Sequence, residues 1–123
     1  MSLEARLQVA STEYQKLQAN LATFVDKRTR LDAQLSENEM VMKEFTNISA
    51  SNAIYKLIGP VLVPQNPSEA KNNVETRLEF IRGEINRIEV QIKNVEEDSE
   101  KKKNELVEIQ TMLQKTIPGS TST

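Results

Sequence analysis

The residues whose side chains are best suited to binding or chemistry form an acidic run, residues 96–100. This run is followed directly by three lysines, residues 101–103. Clustered carboxylates are suited to ligating a divalent cation, and clustered lysines to binding an anionic surface. On one helix, however, successive side chains splay around the axis and do not converge on a single ion. Glu97 and Lys101 also have the i,i+4 spacing of a surface ion pair. We therefore interpret both runs as a solvated helix face.

Side chains that usually perform catalysis are absent from the sequence. The chain contains no histidine and no cysteine, so it lacks the usual base for neutral pH and a thiol nucleophile. It also has no glycine-rich loop that could cradle a phosphate. We predict that the protein is not an enzyme and that it has no metal or cofactor site. The absence of cysteine excludes disulfides and fits a reducing compartment.

Net charge and hydropathy limit which partners and which cellular location are expected for this protein. The net charge of −2 gives no general attraction to phosphate backbones, so no nucleic acid partner is expected. No apolar run approaches the roughly 18 residues of a membrane span, and residues 1–6 alternate in polarity where a signal peptide would be continuously apolar. We expect a soluble, cytoplasmic protein with no membrane association. The triplet Asn47-Ile48-Ser49 matches a glycosylation acceptor, but no glycan is expected without a secretory signal.

An apolar heptad pattern runs through the first half of the chain. Alternating steps of four and three residues from Leu3 meet side chains that can pack apolar surface, except at Arg28 and Asn38. This spacing keeps one seam of a helix against a partner helix, as in a coiled coil, and seam polar residues such as these two commonly determine register. We predict a first helix over residues 3–48. The seam positions are Leu3, Leu7, Ala10, Tyr14, Leu17, Leu21, Phe24, Arg28, Leu31, Leu35, Asn38, Met42 and Phe45.

The same pattern returns in the second half of the chain, beginning at Val74. It is interrupted only by Ser99, Lys102 and Thr116, all in its later half. In the half of the coiled coil nearest the chain termini, the two helices are therefore predicted to pack less tightly and to separate locally. The seam positions are Val74, Leu78, Ile81, Ile85, Ile88, Ile92, Val95, Ser99, Lys102, Leu106, Ile109, Leu113 and Thr116.

The two seams mirror each other about the middle of the chain. They have equal length, and the mirrored order pairs Phe45 with Val74 and Leu7 with Leu113. This symmetry predicts one chain folded back on itself as an antiparallel coiled coil. At about 1.5 Å rise per residue, each arm would be roughly 65 to 70 Å long. The scarcity of aromatic residues, 4% of the chain, and the abundance of charged residues, 28%, fit a coiled coil better than a globular core.

A β-hairpin is predicted between the helices, over residues 53–64. Short runs rich in β-branched and apolar residues flank Gly59-Pro60, which is typical of two brief strands around a turn. A two-stranded hairpin alone is marginally stable in water, and no other segment of the sequence predicts a strand. The missing strands must therefore come from other subunits.

Local signals mark the ends of these elements. Asn47 and Ser49 favour turns and are predicted to end the first helix. Pro64 is predicted to stop strand pairing, and Ser68 is predicted to cap a second helix over residues 68–116. Because Pro118 cannot continue that helix, residues 117–123 are predicted to be a disordered tail.

Apolar residues also collect near the two ends of the chain. One interpretation is ordinary packing at the end of a coiled coil. The alternative is a non-specific binding surface, for which flexible methionine and aliphatic side chains are suited because they repack around varied partners. The residues are Leu3, Leu7, Val9, Val107, Ile109, Met112, Leu113 and Ile117.

Over residues 5–115 the sequence resembles the β-class subunits of the prefoldin family, especially the eukaryotic ones. Heptads alone would be weak support, whereas the hairpin motif together with the motif that follows it is specific. The matching segments are residues 34–38, 54–65 and 73–81, which read Gln-Leu-Ser-Glu-Asn, Ile-Tyr-Lys-Leu-Ile-Gly-Pro-Val-Leu-Val-Pro-Gln and Asn-Val-Glu-Thr-Arg-Leu-Glu-Phe-Ile.

The resemblance implies a hexamer of two α-class and four β-class subunits, whose hairpins build a double β-barrel from which the coiled coils extend. Family members hold unfolded polypeptides, such as actin and tubulin, without ATP and pass them to the group II chaperonin of the cytosol. The hairpin motif assigns subunit assembly to Tyr55, Leu57, Ile58, Val61, Leu62 and Val63. No motif marks the tips, where client binding is assigned to Leu3, Leu7, Val9, Ile109, Met112, Leu113 and Ile117.

We therefore predict a single domain over residues 1–123 with an all-α fold, a long antiparallel coiled-coil hairpin carrying a short β-hairpin between its helices. The predicted function is that of a subunit of a hexameric, ATP-independent holdase. The rival is a structural coiled-coil adaptor or tether without chaperone activity. The β segment favours the first hypothesis, because a tether does not need an apolar hairpin at one end.

Overall fold

The chain consists of two long helices with a pair of strands between them. The computed structural model describes residues 1–47, 54–58 and 61–116. Helix α1 spans Leu3–Thr46, strand β1 spans Ile54–Ile58, strand β2 spans Val61–Gln65, and helix α2 spans Pro67–Thr116. The two long helices predicted from the heptad patterns are confirmed. The predicted tail over residues 117–123, and Ile48 and Ser49 of the glycosylation triplet, lie outside the described residues.

The chain divides into two compact units. The terminal unit contains Met1–Lys27 and Ile88–Thr123, and the central unit contains Arg28–Arg87. Each unit holds a segment of α1 and a segment of α2, and the central unit also holds both strands. The predicted tip cluster therefore belongs to the terminal unit, and the predicted assembly residues belong to the central unit.

Helix α1 is capped at its start by Ser2. The Ala5 amide donates to Ser2 Oγ at 3.1 Å, and the Arg6 amide donates to the Ser2 carbonyl at 2.9 Å. Serine is a preferred N-cap because its hydroxyl accepts from one of the unpaired first-turn amides. At the other end the Asn47 amide donates to the Glu44 carbonyl at 3.0 Å, which closes a tighter last turn.

The seam predicted for α1 is the side of the helix with reduced exposure. All its positions except Arg28 are buried or half-buried, most completely Ala10 and Leu31. Arg28 instead keeps 44% of its side chain exposed, with Nε 4.0 Å from an Asp32 carboxylate oxygen on the same helix. The half-buried Asn38 donates to the Gln34 carbonyl, also on the same helix, at 2.8 Å. The contacts described for Arg28 and Asn38 lie within α1, and their role in determining register stays a prediction.

Helix α2 begins one residue earlier than predicted because Asn66, and not Ser68, is its N-cap. Asn66 Oδ1 accepts from the Ser68 amide at 2.8 Å, and its carbonyl accepts from the Ala70 amide at 3.0 Å. Pro67 is then the first helical residue, where its missing N–H removes no hydrogen bond and its fixed φ suits the helix.

The seam predicted for α2 is more deeply buried than that of α1. Every predicted position except Thr116 is buried or half-buried, and the seam extends one step further back, to Ala70. Ala70 could have been found by stepping four residues back from Val74. The buried residues of this seam are Ala70, Val74, Leu78, Ile81, Ile85, Ile88, Ile92, Ser99 and Ile109.

In the central unit Arg82 of α2 forms an ion pair with Glu39 of α1, with Arg82 Nη2 3.6 Å from Glu39 Oε1. Both side chains are about half exposed, so this pair adds little stability. It brings a late residue of α1 beside an early residue of α2, as the mirrored seams predict.

Strands β1 and β2 pair antiparallel. The register sets Tyr55 opposite Pro64, Leu57 opposite Leu62, and Ile58 opposite Val61. The prediction that Pro64 stops the pairing is wrong, since β2 continues to Gln65. Among the described residues the sheet has only these two strands, so each strand has one backbone edge facing away from its partner. A proline is tolerated at such an edge because no ladder hydrogen bond is lost there.

Candidate functional site

The apolar tip predicted from the sequence divides by exposure. Val9 and Met112 expose 45% and 41% of their surface, and the neighbouring Val107 exposes 53%. Leu3, Leu7 and Leu113 are half-buried seam residues. Ile117 lies outside the described residues. The tip thus combines partly covered leucines with a few side chains that reach solvent.

Ile109 differs from the other tip residues because it is completely buried, with 0% exposure. The mirrored position on α1 is Ala10, which is 1% exposed. A small side chain on one helix leaves room for a large one on the other, which explains why these are the two most buried residues of the terminal unit. Direct contact of Ile109 with a binding partner would require the helices to separate at this point.

The exposed tip residues do not share one face of α2. Successive helical residues turn by about 100°, so Val107 and Met112 project about 140° apart around the helix. The exposed apolar side chains of α2 near the tip therefore point in different directions and form no single apolar stripe. This arrangement is suited to contacting a chain from several directions and is poorly suited to a shaped pocket for one ligand.

Two polar residues of the α2 seam in the terminal unit have partners on α1. Gln18 Nε2 donates to Ser99 Oγ at 2.5 Å, and Ser99 is only 7% exposed. Lys102 Nζ lies 2.5 Å from Glu13 Oε2 and 2.9 Å from Glu105 Oε2, with 22% of the lysine side chain exposed. We call these five residues, Glu13, Gln18, Ser99, Lys102 and Glu105, the polar segment.

The electrostatics of Lys102 follow from its two carboxylate partners. The hydrogen bond to Glu105, and next the one to Glu13, raise the pKa of Lys102 above its ordinary value, against a smaller opposing effect of desolvation. The lysine is therefore held in its charged form. Among the described residues, no buried side-chain nitrogen or oxygen lacks a hydrogen-bond partner.

An open groove of about 460 Å³ lies beside the polar segment. Its lining carries charges of both signs, so it presents no consistent complement to an anion or a cation. In the part of the chain that the structure describes, no group of three acidic, histidine or cysteine residues is placed to hold a metal ion. The lining residues are Glu13, Lys16, Leu17, Asp98, Lys101, Lys102 and Glu105.

The acidic run, residues 96–100, and the three lysines, residues 101–103, behave as parts of a helix surface. Glu96, Glu97, Asp98 and Glu100 are exposed, whereas Ser99 between them is buried on the seam. Of the three lysines, Lys102 makes the ion pairs described above. Within the described ranges, neither helix is long and apolar enough to cross a membrane.

The residues predicted to assemble subunits lie in the strand pair. Tyr55, Leu57 and Ile58 belong to β1, and Val61, Leu62 and Val63 belong to β2. Leu57 and Leu62 occupy one rung of the ladder, and Ile58 and Val61 occupy the next. The motif residues are thus concentrated in the three rungs closest in sequence to residues 59–60, and in Tyr55.

Comparison with known proteins identifies the family. Residues 8–115 match the family model described as prefoldin subunit. Prefoldin subunit 6 of Saccharomyces cerevisiae is 42% identical over 107 residues, which cover 87% of this chain and 94% of the yeast protein. Prefoldin subunit 6 of Homo sapiens is 38% identical over 113 residues, covering 92% of this chain and 88% of the human protein.

Solved structures show the same fold. The prefoldin beta subunit from Thermococcus strain KS-1 superposes with a TM-score of 0.76 at 18% identity, over 82% of this chain and 89% of the archaeal one. The beta2 subunit from the same strain gives a TM-score of 0.64 at 22% identity, over 74% of this chain and 97% of that one. Since the family model spans nearly the whole of both helices and the strands between them, this chain belongs to the prefoldin family of coiled-coil chaperone subunits.

Proposed function

We propose that this chain is one subunit of a hexameric, ATP-independent holdase that binds unfolded polypeptides. The observation that carries the proposal is the family match over residues 8–115. The other subunits would be two α-class and further β-class prefoldin chains. The complex would work in the cytoplasm and pass clients such as actin and tubulin to the group II chaperonin.

Assembly through the strand pair is supported by its incompleteness. Within the described residues the sheet contains β1 and β2 alone, and a two-stranded sheet is marginally stable in water. Each strand has one unpaired edge of backbone donors and acceptors, which is a template for pairing with strands of another chain. The proposed assembly residues are Tyr55, Leu57, Ile58, Val61, Leu62 and Val63.

Client binding at the tip is supported by exposed apolar side chains in a charged coiled coil. Val9 and Met112 reach solvent beside the half-buried Leu3, Leu7 and Leu113. Unfolded chains expose apolar side chains in no fixed arrangement, so a few flexible aliphatic contacts are a suitable receptor. Ile109 and Ile117 complete the proposed set, with Ile109 contributing only where the helix ends separate.

Weak individual contacts suffice when several subunits act together. Each apolar contact contributes about 25 cal/mol per Å² buried, which is modest for one side chain. A client held by several tips converts later contacts into intramolecular ones and so raises the overall affinity steeply. The proposal therefore predicts that the affinity for a client falls further as the tips of more subunits are altered.

The test is suppression of aggregation of a chemically denatured protein by the reconstituted complex without ATP. Val9→Ser, Val107→Ser and Met112→Ser together should weaken protection, because they remove exposed apolar area without emptying the buried seam. The matched control is Val25→Ser with Val41→Ser and Val90→Ser, three valines that are 47%, 44% and 60% exposed away from the tip. Both complexes should assemble as the parent does. Full protection by the tip variant, or equal loss in the control, would contradict client binding at the tip.

A further inference from the structure

The polar segment interrupts an otherwise apolar seam at two neighbouring positions. Ser99 is 7% exposed and lies between the buried Ile92 and Ile109 on the α2 seam. Lys102, the next seam position, keeps 22% of its side chain exposed. A polar group on a seam lowers stability relative to an apolar residue of similar size. The polar residues at these two positions therefore need an explanation other than stability.

Both interruptions are matched by partners on the other helix. Gln18 of α1 donates to Ser99, and Glu13 of α1 pairs with Lys102. The predicted mirrored pairing sets Ser99 opposite Leu21 and Lys102 opposite Leu17, so the observed contacts agree with it to within about one helical turn. These contacts therefore depend on the axial position of α1 relative to α2 in the terminal unit.

The apolar positions by themselves would tolerate a slip of one heptad. Such a slip replaces one apolar residue by another at most seam positions of the terminal unit, although it would set Leu3 or Leu17 in the place of Ala10 opposite Ile109. In one direction Lys102 would exchange Glu13 for Arg6, a like charge. In the other direction Lys102 would meet Asn20, and Ser99 would meet Val25 in place of Gln18. A buried hydroxyl without a partner destabilises the slip that sets Ser99 against Val25, and the like charge of Arg6 destabilises the other slip.

We propose that the polar segment determines the register of α1 against α2 in the terminal unit. Gln18–Ser99 and Glu13–Lys102 are compatible with one axial alignment, and they exclude the slipped alignments that the apolar seam alone permits. The register in turn determines which side chains of the two helix ends meet at the tip. The proposal concerns helix pairing and does not depend on client binding.

Polar residues elsewhere on the two seams supply the control. Asn38 donates to the Gln34 carbonyl of α1, and Thr116 donates to the Leu113 carbonyl of α2, so the contacts described for both stay within one helix. Asn38→Leu with Thr116→Leu changes the same number of seam positions as Ser99→Leu with Lys102→Leu. The first pair of changes should leave the register unaltered, and the second should relax it.

The test uses disulfide reporters in the full chain, reconstituted with the other subunits. Leu7→Cys with Leu113→Cys reports the native register. Leu7→Cys with Leu106→Cys, and Tyr14→Cys with Leu113→Cys, report a slip of one heptad in either direction. In the parent and in the Asn38/Thr116 control, only the native reporter should oxidise efficiently. In Ser99→Leu with Lys102→Leu, a slipped reporter should rise from background to a yield comparable with the native one.

Stability separates loss of register from loss of folding. The Ser99→Leu, Lys102→Leu variant should unfold at the parent's temperature or higher, because its seam is continuously apolar. Native crosslinking alone in that variant would overturn the proposal, and so would a variant that fails to fold. As a second arm, Lys102→Glu should lower the native crosslink and the addition of Glu13→Lys should restore it. Absence of that rescue would also overturn the role of the Glu13–Lys102 pair.

Discussion

Three apolar residues of α2 show how strongly exposure at the tip depends on position within a helical turn. Ile109 has no exposed surface, whereas Met112 and Val107 expose 41% and 53% of theirs. All three have similar hydrophobicity and lie within two turns. Burial is decided by which side of the helix faces α1, so Ile109 stabilises the coiled coil while the other two remain available for contact.

Lys102 provides a prediction at the residue scale. Its pKa is raised by the hydrogen bonds to Glu105 and Glu13, so the charged form is favoured in the folded state. Such a group contributes stability that is fully present below its ordinary pKa and is lost as pH rises through the raised one. The charged groups that share its groove are Glu13 and Lys16 of α1 and Asp98, Lys101 and Glu105 of α2.

The thermal unfolding midpoint of the parent should therefore fall relative to that of Lys102→Met as the pH rises above about 10.4, the ordinary pKa of lysine. Near neutral pH the difference between the two proteins should be constant. Other lysines titrate in both proteins and cancel in the comparison. Unfolding followed by circular dichroism measures the two midpoints. A difference that stays constant to the highest pH would show that Lys102 gains nothing from its carboxylate partners.

At the scale of helices and strands, the start of α2 yields a prediction that distinguishes two N-caps. Ser68 is the cap expected from the sequence, and Asn66 is the cap in the structure. Asn66→Ala removes the side-chain oxygen that accepts from the Ser68 amide, and loss of such a cap costs about 1 kcal/mol. Ser68→Ala changes the residue that the sequence pattern marked as the cap and should have little effect. Urea unfolding of the two variants decides between them, and a larger loss for Ser68→Ala would refute the assignment of Asn66.

Pairing of the two helices within one chain is testable by crosslinking. Phe45→Cys with Val74→Cys should oxidise within a single chain, provided that the two Cα atoms come within about 7 Å. Leu7→Cys with Leu113→Cys should do the same near the termini. Moving one cysteine to the outward Met40, which is 68% exposed, with Val74→Cys retained, should abolish the product. Efficient crosslinks between chains would instead favour pairing of separate subunits.

At the scale of the whole molecule, the strand pair is the feature that calls for other subunits. Leu57 and Leu62 occupy one rung of the ladder, so Asp at both positions would place two carboxylates in the proposed interface. An unpaired buried charge costs several kcal/mol, or the group must take up a proton. The helices should persist while the hexamer dissociates, as measured by circular dichroism together with light scattering.

The control for this prediction carries the same charge elsewhere. Val25→Asp with Val90→Asp adds two carboxylates at side chains that are 47% and 60% exposed, and its complex should remain hexameric. A hexamer that survives Leu57→Asp with Leu62→Asp would exclude the strand pair as the assembly element. Dissociation of both variants would indicate a general effect of charge.

Much of this architecture is determined by the sequence alone, because burial in a coiled coil is a local and periodic property. The heptad steps correctly selected the buried Leu31 on α1 and Ile81 and Ile88 on α2. The hairpin motif and the segments around it were sufficient to indicate the family. The ends of the helices and strands were harder to predict from the sequence. Asn66 and Ser68 are both suitable caps, and only the path of the chain after β2 selects Asn66.

Whether a polar seam residue is buried and hydrogen-bonded to the other helix was decided only by the tertiary structure. Arg28 and Ser99 both interrupt a heptad pattern, yet Arg28 keeps 44% of its side chain exposed and Ser99 is buried against Gln18. The periodicity of one helix records which side faces its partner and carries no information about the side chain that lies opposite. A buried polar group needs a hydrogen-bond partner, and for Ser99 that partner, Gln18, belongs to the other helix.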